Sequence, residues 1–443
     1  MTASHFDPHA TLNREAMLLQ IQRNSFGYFT CEVNPANGLV LDKTAPDWPA
    51  SIAAIGMALT AYPIGIERHC MTRADGLARC LTILRFLMAS EQSESPTATG
   101  YKGFYYHFLN MRTGRRAWNC ELSSIDSALL IAGVLAAAEY FRDDSADARE
   151  VRALADALYR RVDWAWMCNG DATLCHGWKP ESGFLPWHWQ GYDEAMILFL
   201  LALGSPTHPP PPQAWEAWLS TCVWRTVEDI DYLHAGPLFI HQMSHVWVDF
   251  RGIRDAFMRP QGSDYFENSR RAAQVQQRDA VRNPRHLAMY GEFCWGITAS
   301  DGPGATRRGQ RVGERTYYDY LARGVPDGPD DGTLAPWAVI ASLPFAPEIV
   351  LPTIEHLRRL QLHVANPYGF KASFNASFPR DRHHPVVGWV SPHHFGINEG
   401  PTVLMIENHL SGLVWRLMRG CAPLVAGLRR AGFEGGWLDA APR

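Results

Sequence analysis

Charge is the scarcest property of this chain of 443 residues: only 19% are Asp, Glu, Lys or Arg, the formal net charge is −4, and no block of like charges occurs. A polyanionic partner needs a basic stripe to displace counterions, so neither nucleic acid nor an anionic membrane surface is an expected partner. No apolar run approaches the length of a membrane span, and the start, Met1-Thr2-Ala3-Ser4-His5-Phe6, lacks a basic segment followed by an apolar one. Cytoplasmic residence is the expectation, and periplasmic residence if an export signal precedes Met1. The nine cysteines, at 31, 70, 80, 120, 168, 175, 222, 294 and 421, are odd in number and lack a repeating interval, which speaks against a disulfide framework and predicts buried thiols. Cys168 and Cys175 are the nearest pair, but no second pair or spaced histidine set completes a zinc site, so neither metal nor cofactor is expected. His383-His384 and His393-His394 read as exposed polar turns, because adjacent side chains point apart.

Aromatic and apolar residues, by contrast, are plentiful: 47% of the chain is hydrophobic and 16 residues are Trp. That composition supplies a large core and leaves a surplus of indole rings. Apolar residues at intervals of three and four predict helices over 12–30, 51–65, 75–90, 123–142, 147–166, 193–203, 213–229, 264–282, 335–342, 348–362 and 400–419. Start signals accompany several of them: Ser123 and Ser124, Pro212 before Gln213, Pro336 after Thr333, and Pro401 after Gly400. The fold class is therefore all-α. Long loops at 101–121, 168–192, 231–260, 290–334 and 364–399 gather Trp, Tyr, His, Asp and Asn, and loops of that length in a compact unit are usually functional. Short strand pairs are expected within 103–118 and around 236–253, and Pro209 to Pro212 reads as a rigid loop.

The most telling segment is Trp187-His188-Trp189-Gln190-Gly191-Tyr192-Asp193-Glu194, which runs straight into the apolar stretch Ala195–Leu203. Indole and phenol faces stack on the C–H faces of sugar rings, and a carboxyl group set against apolar surface can keep its proton near neutral pH. The bland reading is a helix that begins with acidic residues because its dipole favours them. Glycosidic bond hydrolysis needs a proton donor and a second carboxylate. Glu194 is the candidate acid; its raised pKa has to come from apolar burial and from the like charge of Asp193 or Asp126. For the second carboxylate Glu399 leads, delivered to a helix start by Phe395-Gly396-Ile397, and Asp126 on an apolar helical pattern competes. Asp249, between Trp247 and Arg251, reads as a sugar hydroxyl acceptor. Further candidate sugar contacts are Tyr106, His107, Trp187, Trp189, Tyr192, Asp193, His245, Arg251, Tyr368, Phe370, Trp389 and Asn398.

Several segments together resemble the glycoamylase-like family of (α/α)6-barrel proteins, which includes endo-β-1,2-glucanases and the cyclising domain of cyclic β-1,2-glucan synthases. They include Gly38-Leu39-Val40-Leu41-Asp42, Gly103-Phe104-Tyr105-Tyr106-His107-Phe108, Glu121-Leu122-Ser123-Ser124-Ile125-Asp126, Tyr192-Asp193-Glu194, Ser244-His245-Val246-Trp247-Val248-Asp249-Phe250-Arg251, Ala299-Ser300-Asp301-Gly302-Pro303, Tyr368-Gly369-Phe370 and Ile397-Asn398-Glu399-Gly400-Pro401. The resemblance implies one (α/α)6 toroidal barrel over 1–443, with long loops and short β-hairpins around a central cleft. It implies an endo-acting glycoside hydrolase on β-1,2-glucan with Glu194 as general acid. The alternatives are a transglycosylase on the same polymer and a glucan-binding protein without activity. The sequence departs from that family at Asn398, which stands where Asp is usual, and at Asn110 and Ser373, where Asp is also expected. Oligomeric state is not legible.

Overall fold

A computed structural model describes residues 8–379 and 387–440, and fourteen α-helices dominate the described residues. They are α1 (Pro8–Cys31), α2 (Ile52–Glu67), α3 (Arg73–Ala89), α4 (Ser124–Tyr140), α5 (Ala146–Arg161), α6 (Trp164–Met167) and α7 (Met196–Gly204). They continue with α8 (Ala214–Leu219), α9 (Tyr265–Arg282), α10 (Pro336–Ala341), α11 (Pro347–Arg359), α12 (Gly396–Leu410), α13 (Leu413–Arg419) and α14 (Ala422–Arg430). Two kinds of helix are distinguishable by sequence. Helices α2, α4, α7, α10 and α12 are buried over nearly their whole length, whereas α3, α5, α9 and α11 bury one apolar stripe and expose the other face. A helix that is apolar all round belongs inside and an amphipathic one outside, and the molecule follows that division as an (α/α)6 toroid.

Inner helices approach one another closely. At the α2–α4 crossing Gly56 and Gly133 face each other, and a Cβ on either would fall 2.3 Å or 2.1 Å from the carbonyl oxygen of Leu129 or Gly56. Only glycine fits there. Between α7 and α10 in the chain come 3-10 turns at Leu238–His241 and Ser244–Val246, and the buried Trp247 donates its indole N–H to Thr60 Oγ1 of α2 at 2.9 Å. Each buried large apolar side chain contributes about 1.5–3 kcal/mol relative to exposure, and one continuous cluster extends from Met17 to Leu438.

Seven small antiparallel sheets decorate the toroid among the described residues, and three of them lead into inner helices. Ala50–Ser51 pairs with Phe108–Leu109 ahead of α2, Leu122–Ser123 with Gly177–Lys179 ahead of α4, and Thr333–Leu334 with Phe374–Asn375 ahead of α10. The inner N-termini thus converge on one end, and the long loops fold over it.

Most helix expectations hold to within a turn, but three change. The segment expected as one helix over 147–166 is two, α5 and α6, parted after Arg161. The segment 213–229 is helical only to Leu219; Trp224–Val227 then forms a hairpin with Ile230–Leu233, turned by Glu228 and Asp229 at φ 51° and 61°. Left-handed turns of that kind match strand twist and suit a β-branched run. The strand pair expected around 236–253 therefore lies upstream, and 236–253 holds the two 3-10 turns instead. The helix expected over 400–419 begins at Gly396, encloses Pro401, and is split from α13 by Gly412 at φ 70°. All nine cysteines are free; six are buried, while Cys31 is exposed and Cys70 and Cys222 are partly so. His383 and His384 lie outside the described residues. His394 is buried rather than in an exposed turn, with its Nδ1 2.8 Å from Glu399 Oε1.

Candidate active site

A cleft of about 460 Å³ opens at the end where the inner helices start. Its wall takes Asp126 and Leu129 from the first turns of α4, Trp337 from α10, Ile397 and Asn398 from α12, and Glu194 from the segment just before α7. Loops add His107, Glu121, His176, Leu185, Trp187, Trp189, Phe239, Met243, Ala299 and Tyr320. Trp187 is 64% exposed, which leaves its ring free at the rim.

Glu194 is set in place from both sides. The Ser244 hydroxyl donates to its carbonyl oxygen at 3.1 Å and accepts the Ile197 N–H at 3.0 Å, which fixes the turn into α7. Its neighbour Asp193 accepts the Ala195 N–H at 2.9 Å and the Trp218 indole N–H at 3.0 Å. Burial raises the Glu194 pKa first, the like charge of Asp193 adds to it, and Asp126 raises it further. Burial raises Asp193 too, but its two N–H donors oppose that. Since hydrogen bonds to the charged form favour it, the proton shared by this pair settles on Glu194 and the charge on Asp193.

The opposite wall is built by α4. Ser123 ends the strand that leads into the helix; it accepts the Asp126 N–H at 3.2 Å, and its hydroxyl donates to Asp126 Oδ2 at 2.5 Å. Beside them His107 bridges two carboxylates, with Nε2 3.5 Å from Asp126 and Nδ1 2.9 Å from Glu121. Burial alone would lower the His107 pKa, but Asp126, Glu121 and Asp42 outweigh it and push the imidazole up to about 9. Its partner effect holds Glu121 at about 2 against burial. The wall therefore carries a fixed imidazolium beside the Glu121 carboxylate at neutral pH. The loop bearing Trp187 is clamped to the same helix start: the Trp189 indole N–H donates to Ser124 Oγ at 2.9 Å, and Ser124 Oγ donates to Cys175 O at 2.7 Å.

The glycoamylase family, described as "Putative glucoamylase", matches residues 186–422. The chain belongs to the glycoamylase-like family. It is 26% identical, over 94% of its length, to the exo β-1,2-glucooligosaccharide sophorohydrolase (non-reducing end) of Parabacteroides distasonis, and spans 58% of that relative's length. A Bacteroides uniformis structure carrying the family's own description superposes with a TM-score of 0.83 at 28% identity, covering 96% of this chain and 99% of that one. An endo-β-1,2-glucanase from Chitinophaga pinensis, solved with sophorotriose and glucose, has the same fold at TM-score 0.83 and 24% identity, covering 96% and 99%.

In this glycoamylase-like protein the cleft brings together only part of the residue set expected from sequence. Glu194, Asp126, His107, Trp187, Trp189 and Asn398 line it. Glu399 does not: in the first turn of α12 it is paired with His394, and burial raises its pKa while His394 and Ser25 oppose that. Tyr106 lies buried under the Arg116 guanidinium, 4.6 Å from its ring centroid. Tyr192 packs among Trp218, His241 and Tyr265. His245 is a core histidine wedged between Phe250 and Phe345, its pKa lowered by burial to about 3. Asp249 is bound by Arg251 at 2.7 Å and by Arg419, and Arg251 lies 4.4 Å from the Trp415 ring. Tyr368 donates to Glu32 at 2.5 Å, Phe370 is buried beside His363, and Trp389 pairs with Asn375 in a small sheet. All of these fall outside the cleft lining. Asn110 caps a surface turn through the Arg112 and Thr113 N–H groups, and Ser373 donates to Asp301 O at 2.7 Å.

Sequence reasoning missed Tyr320, Trp337, His176, Glu121 and Phe239, which line the cleft, and Asp42 beside it. Asp42 accepts the Trp48 indole N–H at 2.9 Å, and burial pushes its carboxyl up to about 6. Burial, Asp42, Asp301 and Glu194 all raise the Tyr320 phenol, so that ring stands within electrostatic reach of each. A usable signal existed for Asp42 and Glu121, which sit inside family-like segments. Tyr320, in a loop without apolar periodicity, had none.

Proposed function

We propose that this chain hydrolyses β-1,2-glucan, cutting within the chain and releasing short oligosaccharides. Glu194 is the general acid, and Asp126 is the carboxylate that activates the attacking water. The observation that carries this reading is the partly buried Glu194 carboxyl, kept protonated by apolar surroundings and by Asp193, in a cleft rimmed by indole rings. The β-1,2 linkage is supported by the activities for which the relatives are named. Asp126 has the better claim to the second role because it lines the cleft, whereas Glu399 is engaged by His394 and is not part of the lining. In hydrolysis the Glu194 proton passes to the glycosidic oxygen as its bond to the anomeric carbon breaks, and water adds to that carbon while Asp126 takes its proton. His107, already charged, is a hydrogen-bond donor to sugar or to Asp126 and not a base.

Assay of β-1,2-, β-1,3-, β-1,4- and α-linked glucans for new reducing ends and product size tests the proposal. Short oligosaccharides from the β-1,2 polymer alone are expected. Longer or cyclic products would indicate transfer instead, and binding without turnover would indicate a glucan-binding protein.

Holding Glu194 protonated also has a consequence for stability. Its folded pKa lies above the ordinary 4.5, so above that value the native state binds more protons than the unfolded state and stability falls as pH rises. Replacement by Gln removes that burden. Glu194→Gln is expected to melt higher than the parent, with a gain on the order of 1 kcal/mol at pH 8 that disappears near pH 4. Equal differences in melting temperature at both pH values would contradict it.

A further inference from the structure

Outside the cleft lining lies a second aromatic surface that the proposed chemistry does not use. Trp118 is 55% exposed, in contrast to the fully buried indoles of Trp164, Trp218, Trp247, Trp295 and Trp415. Its backbone and that of Asn119 both adopt positive φ, 55° and 50°. Bulky residues rarely occupy that region, and such strain concentrates at ligand-binding positions. The turn is fixed by the Ala117 N–H donating to Phe108 O at 2.9 Å and the Cys120 N–H to Ala117 O at 3.1 Å. Trp48 meets Trp118 edge to face, with centroids 4.7 Å apart and planes at 78°. The Trp48 ring is held by its hydrogen bond to Asp42, and Lys43 Nζ stands 5.0 Å from its centroid.

The platform is continuous with the cleft. Phe108 touches Trp118, centroid to centroid 5.1 Å, and stacks on His107 at 4.0 Å with planes 9° apart. His107 is itself part of the cleft wall. A row of rings therefore leads from Asp126 outward to two tryptophans, with the Asp42 carboxyl and the Lys43 ammonium, itself paired with Asp301 at 3.2 Å, beside Trp48. That combination matches a pyranose ring, with C–H faces for the indoles and hydroxyls for the charged groups. A protein partner would need a broader apolar face than two rings offer.

We propose that Trp118 and Trp48, with Lys43 and Asp42 at their rim, form an outer subsite that binds a glucosyl unit of the same chain held in the cleft. This rests on the glucan reading of the cleft and adds where a longer substrate gains affinity over a short one.

Calorimetric titration of β-1,2-linked gluco-oligosaccharides of increasing length into the Glu194→Gln protein tests it, with Trp118→Ala and Trp118→Phe added separately. Trp118→Ala is expected to weaken the longer oligosaccharides about tenfold while leaving the disaccharide unchanged, and Trp118→Phe to recover part of the loss. Thermal melting of each variant confirms that it is folded. Affinities that do not depend on residue 118 at any length would overturn the outer subsite and leave the cleft reading standing. Failure of the Glu194→Gln protein to bind any β-1,2-linked oligosaccharide would remove both.

Discussion

Glu194→Gln is expected to lower turnover on β-1,2-glucan by about two to four orders of magnitude, while the affinity for the oligosaccharide stays within a few-fold. Gln keeps the volume and a hydrogen-bonding amide but has no proton to give. The leaving sugar oxygen must then depart as an alkoxide, without a proton from residue 194. Steady-state kinetics on one substrate, with binding measured separately, checks both halves of the expectation. A variant with near-parental kcat would mean that the proton comes from elsewhere. Asp126→Asn should produce a comparable loss through the attacking water, whereas Glu399→Gln, which disturbs contacts with His394 and Ser25 outside the cleft lining, should not.

The second large effect concerns the loop that carries Tyr320. Arg323 is fully buried, and its guanidinium grips Asp331 at 2.8 and 2.9 Å, Ser300 O at 2.7 Å, and Tyr318 O and Asp319 O at 3.1 Å each. Burial works to raise the Asp331 pKa, but Arg323 overrides it and holds the carboxyl below its usual range. Deleting the cation leaves a buried carboxylate without its counter-charge and removes a donor from the carbonyls of Ser300, Tyr318 and Asp319. Arg323→Ala should therefore cost about 3–5 kcal/mol in urea unfolding. Because Ala299 and Tyr320 line the cleft on either side of this anchor, activity should fall before global unfolding begins. A loss below about 1 kcal/mol would show that the loop is held by other contacts.

How much of this could be read from the chain alone depends on which physical signal each residue carried. Inner and outer helices announced themselves through apolar spacing, and Ser123 marked the start of α4 correctly because a hydroxyl there satisfies a free N–H. The segment after Leu219 misled because Val223, Trp224 and Val227 continue an apolar pattern that also suits a strand, and its turn, Glu228-Asp229, contains no glycine. Within the site, Glu194 was legible from an acidic pair set between aromatics and an apolar helix. The neighbours Asn398 and Glu399 were not separable: one residue on a helix rotates a side chain by about 100°, which puts one in the cleft and the other on His394. His245, Asp249, Arg251 and Tyr368 share the composition of binding residues, yet each is engaged by the core or by a salt bridge from another element. Such long-range partners, like the Arg419 contact to Asp249, leave no trace in local sequence.

The central claim, that Glu194 donates the proton to the departing sugar, is tested most directly by comparing two leaving groups on Glu194→Ala. On a β-1,2-linked oligosaccharide the variant should lose at least about two orders of magnitude in kcat/KM. On an aryl glycoside of the same sugar, whose phenolate departs without protonation, most of that loss should vanish. An equal loss on both substrates would contradict the claim and assign Glu194 a role in binding or structure instead.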